Sequence, residues 1–340
     1  MPKHIIYLFG GAIGDALLGV QLAHTLQAAG AKGRLTIVST RTSGFVRQLM
    51  TLVPQVEYRE LPRERIRSWL ALLSLALRPH GVVFLEPFQN AVPIWWKVIA
   101  RVATLLPGSV EVRCQSRPQA APARVRVLSY SPKTDILFSM IAQVVPLWGG
   151  PSVPTPVPYL SVPTCPPASP RPYILFHFFA GAYRRSLPLE KVRPLLVAER
   201  TQFPLHEFVL TCAHQEEVAA REMIKGISNA RVEVSPLAHD LLCLLSQSKL
   251  CVGVASGVTH IAAHLNVPAV ILCNLSDPCW LPTYSTNAVL LSERAHCGCQ
   301  GDKTGECRAE TPGGLVYRCL YDIPTERIID TLMLQLARHP

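Results

Sequence analysis

The stretch that decides the fold is Lys249–Cys273, which reads KLCVGVASGVTHIAAHLNVPAVILC. An apolar run, Leu250–Val254, stops at a small polar turn, Ala255–Gly257. An alanine-rich segment then leads to Pro268 and a second apolar run. This pattern predicts a strand, a tight turn, a helix and another strand. Because backbone N–H groups and the helix dipole both favour negative charge at a helix start, the turn is a candidate phosphate site.

Two other segments have the same outline. His4–Leu26 reads HIIYLFGGAIGDALLGVQLAHTL, with a glycine turn before Asp15, and Tyr173–Leu196 reads YILFHFFAGAYRRSLPLEKVRPLL, with a basic turn before Pro188. Strands that alternate with helices in this way predict parallel sheets with right-handed crossovers. Ligands of such folds bind at the carboxyl ends of the strands, so the turns are the candidate sites.

The length of 340 residues predicts two domains, each large enough to bury a core of its own. Ten prolines fall within residues 146–172 and disfavour helix there. We therefore expect a domain over residues 1–150, a proline-rich linker over 151–172 and a second domain over 173–340. We expect nine strands, at Ile5–Phe9, Leu35–Ser39, Val82–Glu86, Val125–Ser129, Tyr173–Phe178, Glu207–Cys212, Arg231–Val234, Leu250–Val254 and Val270–Asn274.

The positive charge lies in the first half of the chain. Residues 1–150 hold 17 Lys and Arg against 7 Asp and Glu, whereas residues 151–340 hold 16 of each. Such a field attracts a membrane surface, phosphorylated lipids or nucleic acid, although solvated surface arginine is an equal alternative. Neither a helix-turn-helix pattern nor aromatic-studded basic strands occur, which counts against nucleic acid.

The location follows from hydropathy. No stretch approaches the roughly 20 uncharged apolar residues that a membrane span needs. The N-terminal MPKHIIYLFGG is typical of a strand and lacks a signal-peptide cleavage site. We therefore expect a cytoplasmic protein. The segment RERIRSWLALLSLAL, residues 63–77, predicts a core helix with a charged start, and a membrane-facing amphipathic helix is the alternative.

Four cysteines stand close together near the end of the chain, in a loop rich in glycine and charge. They are Cys297, Cys299, Cys307 and Cys319. Four thiolates at such spacing suit tetrahedral coordination of zinc or iron, and free thiols are the alternative. A metal here would be structural. The other seven cysteines lie in apolar runs or isolated loops and are expected to be reduced fillers of the core.

The three turns and the tail cysteines, taken in this order, resemble the ADP-heptose:lipopolysaccharide heptosyltransferase family, glycosyltransferase family 9. The resemblance spans nearly the whole chain. It implies an α/β protein of the GT-B fold, with two Rossmann-like, doubly wound parallel-sheet domains that face a cleft. The N-terminal domain would bind the acceptor and the C-terminal domain the nucleotide sugar. Some relatives also carry four-cysteine clusters, including autotransporter heptosyltransferases that bind iron.

The resemblance assigns roles to particular residues. Asp15 matches the proposed general base of the family and follows the acceptor-side turn of Gly10, Gly11 and Gly14, although a helix-capping carboxylate is the alternative. Arg185 stands where relatives have a lysine that neutralises the diphosphate. The remaining donor-binding candidates are Ala180, Gly181, Glu216 or its neighbour Glu217, Ser256, Gly257, Val258, Thr259 and His260.

One departure bears on the sugar. Most relatives have Asp before the Ser/Thr-Gly step, where it contacts the hydroxyls of the transferred sugar, but this chain has Ala255. The resemblance implies inverting transfer of heptose from ADP-heptose to a lipopolysaccharide-core or related phosphorylated, lipid-linked saccharide, without a catalytic metal. It also implies contact with the cytoplasmic face of the inner membrane. The alternatives are transfer of another sugar, transfer to a protein acceptor, and a non-catalytic relative that only binds a sugar nucleotide.

A dehydrogenase would also be doubly wound. The glycine turn before Asp15 lacks the spacing of a dinucleotide fingerprint, however, and it lacks the Lys-Ser/Thr ending of a phosphate-binding P-loop. The sequence therefore argues against a nicotinamide-dependent oxidoreductase.

Overall fold

We describe a computed structural model of the chain. The described residues are 4–9, 13–28, 30, 34–39, 43–53, 56–61, 65–76, 82–86, 98–99, 101–102, 105, 109–115, 125–129, 160, 164–273, 281–282, 285–293 and 308–339. The chain divides into two compact units, Met1–Tyr159 and Leu160–Pro340. Each unit is described by itself.

The first unit is built on a six-stranded parallel sheet of order β3-β2-β1-β4-β5-β6. Its strands are β1 His4–Phe9, β2 Arg34–Ser39, β3 Glu57–Glu60, β4 Val82–Glu86, β5 Val110–Gln115 and β6 Val125–Ser129. Its helices are α1 Ile13–Ala28, α2 Gly44–Thr51 and α3 Arg65–Ala76.

Helix α1 lies close against the sheet. β1 is buried along its whole length, as expected for a strand covered on both faces. A Cβ atom at Gly19 would lie 2.9 Å from the Tyr7 ring and from the Ile37 side chain, so only glycine permits this approach. The Tyr7 hydroxyl donates a hydrogen bond to the Asp15 carbonyl oxygen at 2.8 Å. The first turn of α1 is therefore fixed against the core.

The second unit repeats the design. Its parallel sheet has the order β12-β11-β10-β7-β8-β9, which in chain order within the unit is the same arrangement as in the first. The strands are β7 Tyr173–His177, β8 Glu207–Cys212, β9 Ala230–Val234, β10 Leu250–Val254, β11 Ala269–Leu272 and β12 Ala288–Leu291. The helices are α4 Leu189–Gln202, α5 Glu217–Met223, α6 Ala238–Gln247, α7 Gly257–His264, α8 Arg318–Tyr321 and α9 Thr325–Arg338.

Both sheets confirm the prediction of an α/β protein with doubly wound parallel sheets. The nine predicted strands all occur, to within two residues at each end. Three further strands of the parallel sheets, β3, β5 and β12, were not predicted. Neither was an antiparallel hairpin after the cysteine-rich segment, formed by β13 Arg308–Thr311 and β14 Gly314–Tyr317.

Part of the predicted linker packs on the second unit. Residues 151–159 and 161–163 lie outside the described residues. Residues 164–172 run along α6, where the Gln247 side chain accepts a hydrogen bond from the Ala168 N–H and donates one to the Pro166 carbonyl. Arg231 also donates to the Ala168 carbonyl at 3.4 Å. This end of the predicted linker is therefore bound to the second unit.

The prediction that Cys165 and Cys243 are reduced core fillers is wrong. These two cysteines form a disulfide that joins residues 164–172 to α6 across a sequence separation of 78. Their Cα atoms lie 5.5 Å apart, a distance that only the tertiary fold creates. The buried cysteines Cys212, Cys251 and Cys273 do pack in the core as predicted.

Candidate functional site

The candidate donor site lies where the strand order of the second sheet reverses. β7 and β10 are neighbours there, whereas the strands that follow them in sequence lie on opposite sides. Open parallel sheets bind ligands at such a switch point, beyond the carboxyl ends of the strands. The turn after β7, residues 178–187, and the turn after β10, residues 255–257, share this edge. The structure therefore brings together the two turns that sequence analysis singled out.

Thr259 holds the turn at the start of α7. Its hydroxyl accepts a hydrogen bond from the Ser256 N–H at 3.0 Å and lies within bonding distance of the Val254 and Ser256 carbonyls. The side chain is fully buried. Thr259 was predicted to bind the donor, but the structure gives its hydroxyl to the turn itself. The first-turn N–H groups, which have no carbonyl one turn earlier, start with Gly257 and Val258.

Ser256 has an unused hydroxyl. Its Oγ is inaccessible to solvent and has no hydrogen-bond partner among the described residues. A buried hydroxyl without a partner costs about 1–3 kcal/mol. A ligand oxygen at the start of α7 would remove this cost, because the hydroxyl and the adjacent N–H groups could bind it together.

The strands that lead into the two turns, β7 and β10, approach each other closely at Gly253. A Cβ atom at Gly253 would lie 2.3 Å from the His177 carbonyl oxygen and 3.2 Å from the Thr259 side chain. Only glycine therefore permits this spacing of β7 and β10. The His177 ring lies within hydrogen-bond distance of the Thr211 carbonyl and hydroxyl, at 3.0 and 3.1 Å. Desolvation lowers the pKa of His177 to about 4, so the ring is neutral at physiological pH.

The basic turn is closed by its own hydrogen bonds. The Ser186 hydroxyl accepts from the Ala180 N–H at 2.9 Å, and the Leu187 N–H donates to the Phe178 carbonyl. Ala180 was predicted as a donor-binding residue because its small side chain allows close approach to a diphosphate, and its own N–H is engaged within the turn. The Arg185 guanidinium reaches back to Gly181, where one nitrogen lies 3.8 Å from the position of a Cβ atom. Arg185 and Gly181 thus form one cationic surface without a side chain in the way.

The carboxyl end of β8 carries the predicted ribose-binding glutamate. One oxygen of Glu216 accepts a hydrogen bond from the Ala213 N–H at 2.9 Å. Desolvation raises the pKa of Glu216, and the Ala213 hydrogen bond opposes that rise. The other candidate, Glu217, forms an ion pair with Arg221 on α5. Glu216 is therefore the better placed of the two for a ligand, because its second oxygen has no hydrogen-bond partner among the described residues.

The histidines of α7 carry no charge at neutral pH. Desolvation lowers the pKa of His260 to about 4. Desolvation and then the neighbouring His260 lower the pKa of His264 to about 3. His260 also donates its backbone N–H to the Ser256 carbonyl at 3.1 Å, as the first helical bond of α7. Contact of the His260 side chain with the donor stays a prediction.

Asp15 is the third residue of α1 in the first unit, partly buried after the carboxyl end of β1. Its carboxylate forms no hydrogen bond or ion pair with any residue that the structure describes. Desolvation raises its pKa from 3.8 to about 7. A helix-capping or salt-bridged carboxylate would have a lowered pKa instead. The side chain is therefore a carboxylate that can hold or release a proton near neutral pH.

Several predicted residues lie outside the described residues. These are Gly10 and Gly11 of the acceptor-side turn and three of the four tail cysteines, Cys297, Cys299 and Cys307. Gly14 lies in the first turn of α1, and Cys319 is buried in α8. Among the described residues, no group of three or more His, Cys, Asp or Glu could hold a metal ion.

Sequence analysis missed the β13–β14 hairpin, which packs on the basic turn. The Tyr183 hydroxyl lies 3.2 Å from the Thr311 hydroxyl, and the Arg184 guanidinium lies 6.0 Å from the centre of the Tyr317 ring. The run Thr311-Pro312-Gly313-Gly314 is a turn signal and could have indicated the hairpin. Nothing in the sequence indicates which segment it packs against.

Comparison with known proteins identifies the C-terminal part of the chain. Residues 161–311 match the family model described as glycosyltransferase family 9 (heptosyltransferase). This segment contains both turns of the candidate donor site and most of the second sheet. No functionally curated protein matches the sequence significantly.

Solved structures match the chain over its whole length. The glycosyl transferase family 9 structure from Veillonella parvula is 17% identical, with 99% of this chain and 97% of that chain covered and a TM-score of 0.71. The ADP-heptose LPS heptosyltransferase II of E. coli is 18% identical, with 99% of both chains covered and a TM-score of 0.68. The E. coli heptosyltransferase WaaC with ADP is 15% identical, with 98% and 99% covered and a TM-score of 0.66.

At these identities the structures establish the GT-B fold, and the family model covers the unit with the candidate donor site. Residues 161–311 match the glycosyltransferase family 9 (heptosyltransferase) model, and the chain as a whole is similar in fold to glycosyltransferases of that family.

Proposed function

We propose that this glycosyltransferase transfers heptose from ADP-heptose to a lipopolysaccharide-core or related phosphorylated saccharide, with inversion at the sugar. The donor follows from the family and from the similar E. coli structure solved with ADP. The pronounced basic excess of residues 1–150 suits an anionic acceptor.

The observation that carries the proposal is the lone carboxylate of Asp15, whose pKa is about 7. A general base works best when its pKa lies near the operating pH. The acceptor hydroxyl would attack the anomeric carbon and form the new C–O bond while its proton passes to Asp15. The bond from that carbon to the diphosphate oxygen breaks, and its electron pair leaves with ADP.

The second unit would stabilise the departing diphosphate. Arg185 offers a guanidinium, whose five N–H groups match phosphate oxygens. The Ser256 hydroxyl and the N–H groups at the start of α7 would bind the same charge. These groups need no catalytic metal for the scheme. Direct displacement on one face of the sugar gives the inverted product.

The test is the pair Asp15→Asn and Arg185→Ala, assayed with ADP-heptose. We expect Asp15→Asn to lower kcat by about 10²–10⁴-fold, the usual contribution of a general base, and to retain ADP binding. Arg185→Ala should weaken ADP binding instead. In the unchanged protein, kcat/KM should fall tenfold per pH unit below about pH 7 as Asp15 takes up a proton. Full turnover by Asp15→Asn would refute the assignment of the base.

A second candidate is transfer of another sugar or transfer to a protein. Ala255 favours it, because it replaces the Asp with which relatives contact the transferred sugar. Its N–H donates to the Leu272 carbonyl, so its backbone belongs to the sheet edge and its methyl group offers no acceptor. A thermal-shift screen of nucleotide sugars distinguishes the candidates. If UDP or GDP compounds stabilise the protein more than ADP compounds, the heptose assignment fails.

We also propose a cytoplasmic location with contact to the inner membrane surface. No helix in the described part of the chain is long and apolar enough to span a bilayer. Helix α3 exposes Ile66 and Leu70 by 76% and 62%. Arg67 on the same helix is also exposed, as in helices that bind anionic lipid surfaces.

Vesicle sedimentation tests the membrane contact. We expect binding to vesicles that contain anionic phospholipid and none to neutral vesicles. Ile66→Glu should abolish it. The matched control is Leu205→Glu, which changes an equally exposed leucine (78%) in the second unit. Equal loss in both variants, or no binding by the unchanged protein, would refute the contact.

We further propose that Cys297, Cys299, Cys307 and Cys319 bind one structural zinc or iron ion. Thiolates are the ligands that both metals prefer. Cys319, the one of the four that the structure describes, lies two residues after the end of β14 and is 1% exposed. Metal analysis of the purified protein should give about one equivalent, and Cys319→Ser should lose it. A metal-free, folded protein would refute the site.

A further inference from the structure

The β13–β14 hairpin holds the basic turn through one tyrosine. The Tyr183 ring lies over the hairpin turn, so that a Cβ atom at Gly313 would be 2.0 Å from the Tyr183 hydroxyl oxygen and 2.7 Å from the ring carbon that bears it. A Cβ atom at Gly314 would lie 3.4 Å from the opposite edge of the ring. Gly314 also has a φ of +126°, which favours glycine by itself. The space at Gly313 is thus reserved for the tyrosine.

Polar and cationic contacts complete this lock. The Tyr183 hydroxyl lies 3.2 Å from the Thr311 hydroxyl, which donates to the Gly314 carbonyl at 2.7 Å. The Arg184 guanidinium lies 6.0 Å from the centre of the Tyr317 ring, at the limit of a cation–π contact. Tyr183 and Arg184, two of the three residues at the tip of the turn, therefore lie against the hairpin.

The hairpin itself is anchored in the core of the second unit. Val316 is fully buried, and Tyr317 and Cys319 are 5% and 1% exposed within the main core cluster. The ends of the basic turn are anchored in the same core cluster by Phe178, Phe179 and Leu187, but none of Tyr183, Arg184 and Arg185 at its tip is buried. The tip is therefore the part of the turn whose position the hairpin can fix.

The two arginines of the turn point to different places. Arg184 is drawn toward Tyr317, whereas Arg185 is directed back over Gly181 at 3.8 Å. Only the second arrangement presents a guanidinium beside exposed backbone at the carboxyl end of β7. If the turn were not held, three successive exposed side chains would lose their common orientation. Preorganised charge is what stabilises a leaving diphosphate, because no reorganisation is then needed.

We propose that the β13–β14 hairpin positions Arg185 for the donor diphosphate. Tyr183 is the positioning residue, and Gly313 leaves the space that the Tyr183 side chain occupies. The proposal rests on the proposed function, since it assumes that Arg185 binds the diphosphate. It adds a specific requirement, namely that an uncharged tyrosine and a glycine some 130 residues apart govern donor affinity.

The experiment measures ADP binding by titration calorimetry and donor KM in Gly313→Ala, Tyr183→Phe, Tyr183→Ala and the double variant Tyr183→Ala/Gly313→Ala. Gly313→Ala should weaken ADP binding and raise the donor KM about tenfold. Tyr183→Phe keeps the ring and should stay within about twofold of the unchanged protein. The double variant should equal Tyr183→Ala alone, since a methyl at Gly313 clashes only with the ring.

Controls separate positioning from folding. Gly44→Ala introduces the same methyl group where nothing lies within 4 Å, and should change neither affinity nor melting temperature. The pH at which kcat/KM declines should stay unchanged in all variants, because Asp15 is untouched. Hydrogen exchange of the amides of residues 181–187 should speed up in Gly313→Ala, with or without nucleotide.

The two hypotheses fail in different ways. If Arg185→Ala weakens ADP binding but Gly313→Ala does not, the positioning role is refuted and the proposed function stands. If the unchanged protein binds no nucleoside diphosphate, the proposed function fails. In that case hydrogen exchange at residues 181–187 tests by itself whether the hairpin holds the turn. If exchange in Gly313→Ala equals that in the unchanged protein, the positioning role is refuted. Additive effects in the double variant would also overturn the lock.

Discussion

Replacing Asp15 by asparagine should stabilise the protein while it lowers kcat by about 10²–10⁴-fold. Burial raises the pKa of Asp15 from 3.8 to about 7, which is a shift of about 3 units. At about 1.4 kcal/mol per unit, ionising the side chain in the folded state costs about 4 kcal/mol. Because the carboxylate lies at a helix N-terminus, the dipole offsets up to about 1 kcal/mol of this cost. Asparagine carries no charge and avoids the cost.

The difference in stability between the unchanged protein and Asp15→Asn should grow as the pH rises. Below about pH 4 the carboxyl is protonated in both folded and unfolded chains, and the two proteins should differ little. Between pH 4 and 7 only the unfolded chain ionises, so the unchanged protein loses stability relative to Asp15→Asn by about 1.4 kcal/mol per pH unit. Above pH 7 the difference should stay constant at about 3–4 kcal/mol.

The assay is denaturant unfolding of both proteins at pH 4.5, 6 and 8, with the transition of the first unit fitted separately. Taking the difference between the two proteins at each pH cancels the contributions of all other titrating groups. A difference that is the same at the three pH values would show that Asp15 titrates normally. The reasoning from an uncompensated, desolvated carboxylate would then be refuted, and with it the assignment of the base.

Three further changes test the second unit. Both carboxylate oxygens of Glu199 are buried without a partner among the described residues, and burial raises its pKa well above 4.5. Glu199→Gln should therefore become more stable than the unchanged protein as the pH rises above 4.5. Melting temperatures at pH 4 and 8 measure this difference. Removing the Cys165–Cys243 disulfide by Cys243→Ser should cost up to about 4 kcal/mol for its separation of 78 residues, and a reductant should then have no further effect on the melting temperature. Gly253→Ala should cost about 3 kcal/mol, the upper end for overpacking, because its Cβ would lie 2.3 Å from a carbonyl oxygen of β7, whereas Gly44→Ala should be nearly neutral.

The order of strands and helices was readable because the central strands are continuous apolar runs. β1 and β10 are buried along their whole length, and such strands are the easiest to recognise. The missed strands lack this signal. β3 is the edge strand EYRE, with two exposed residues, and β5 alternates charged and apolar residues, as in VEVRCQ. An edge strand takes its conformation from its neighbour rather than from its own composition.

The turns of the site were located correctly, but not the work of each residue in them. Small residues and a helix start predict where an anion could bind, since backbone geometry alone produces that site. They do not show that Thr259 and Ser186 use their hydroxyls to close the two turns. Those hydrogen bonds depend on which side chains the fold brings within 3 Å, and single-sequence patterns contain no distances.

Long-range contacts were beyond the sequence for the same reason. Cys165 and Cys243 become partners only when residues 164–172 lie along α6. Tyr183 meets Gly313 only because β14 is anchored in the core beside the basic turn. In both cases the local sequence is compatible with many partners. The tertiary structure selects one.

Desolvation sets the pKa values of titratable candidate residues in each unit. In the second unit, desolvation keeps His177 and His260 neutral above about pH 5, so neither adds a titrating positive charge to the edge where β7 and β10 end. The cation proposed to bind the diphosphate there is Arg185. In the first unit, desolvation moves Asp15 into the neutral range. Burial thus moves the pKa values of these histidines below the neutral range and brings the pKa of the Asp15 carboxylate into it. Donor binding should consequently vary little between pH 6 and 9, while turnover follows Asp15 alone.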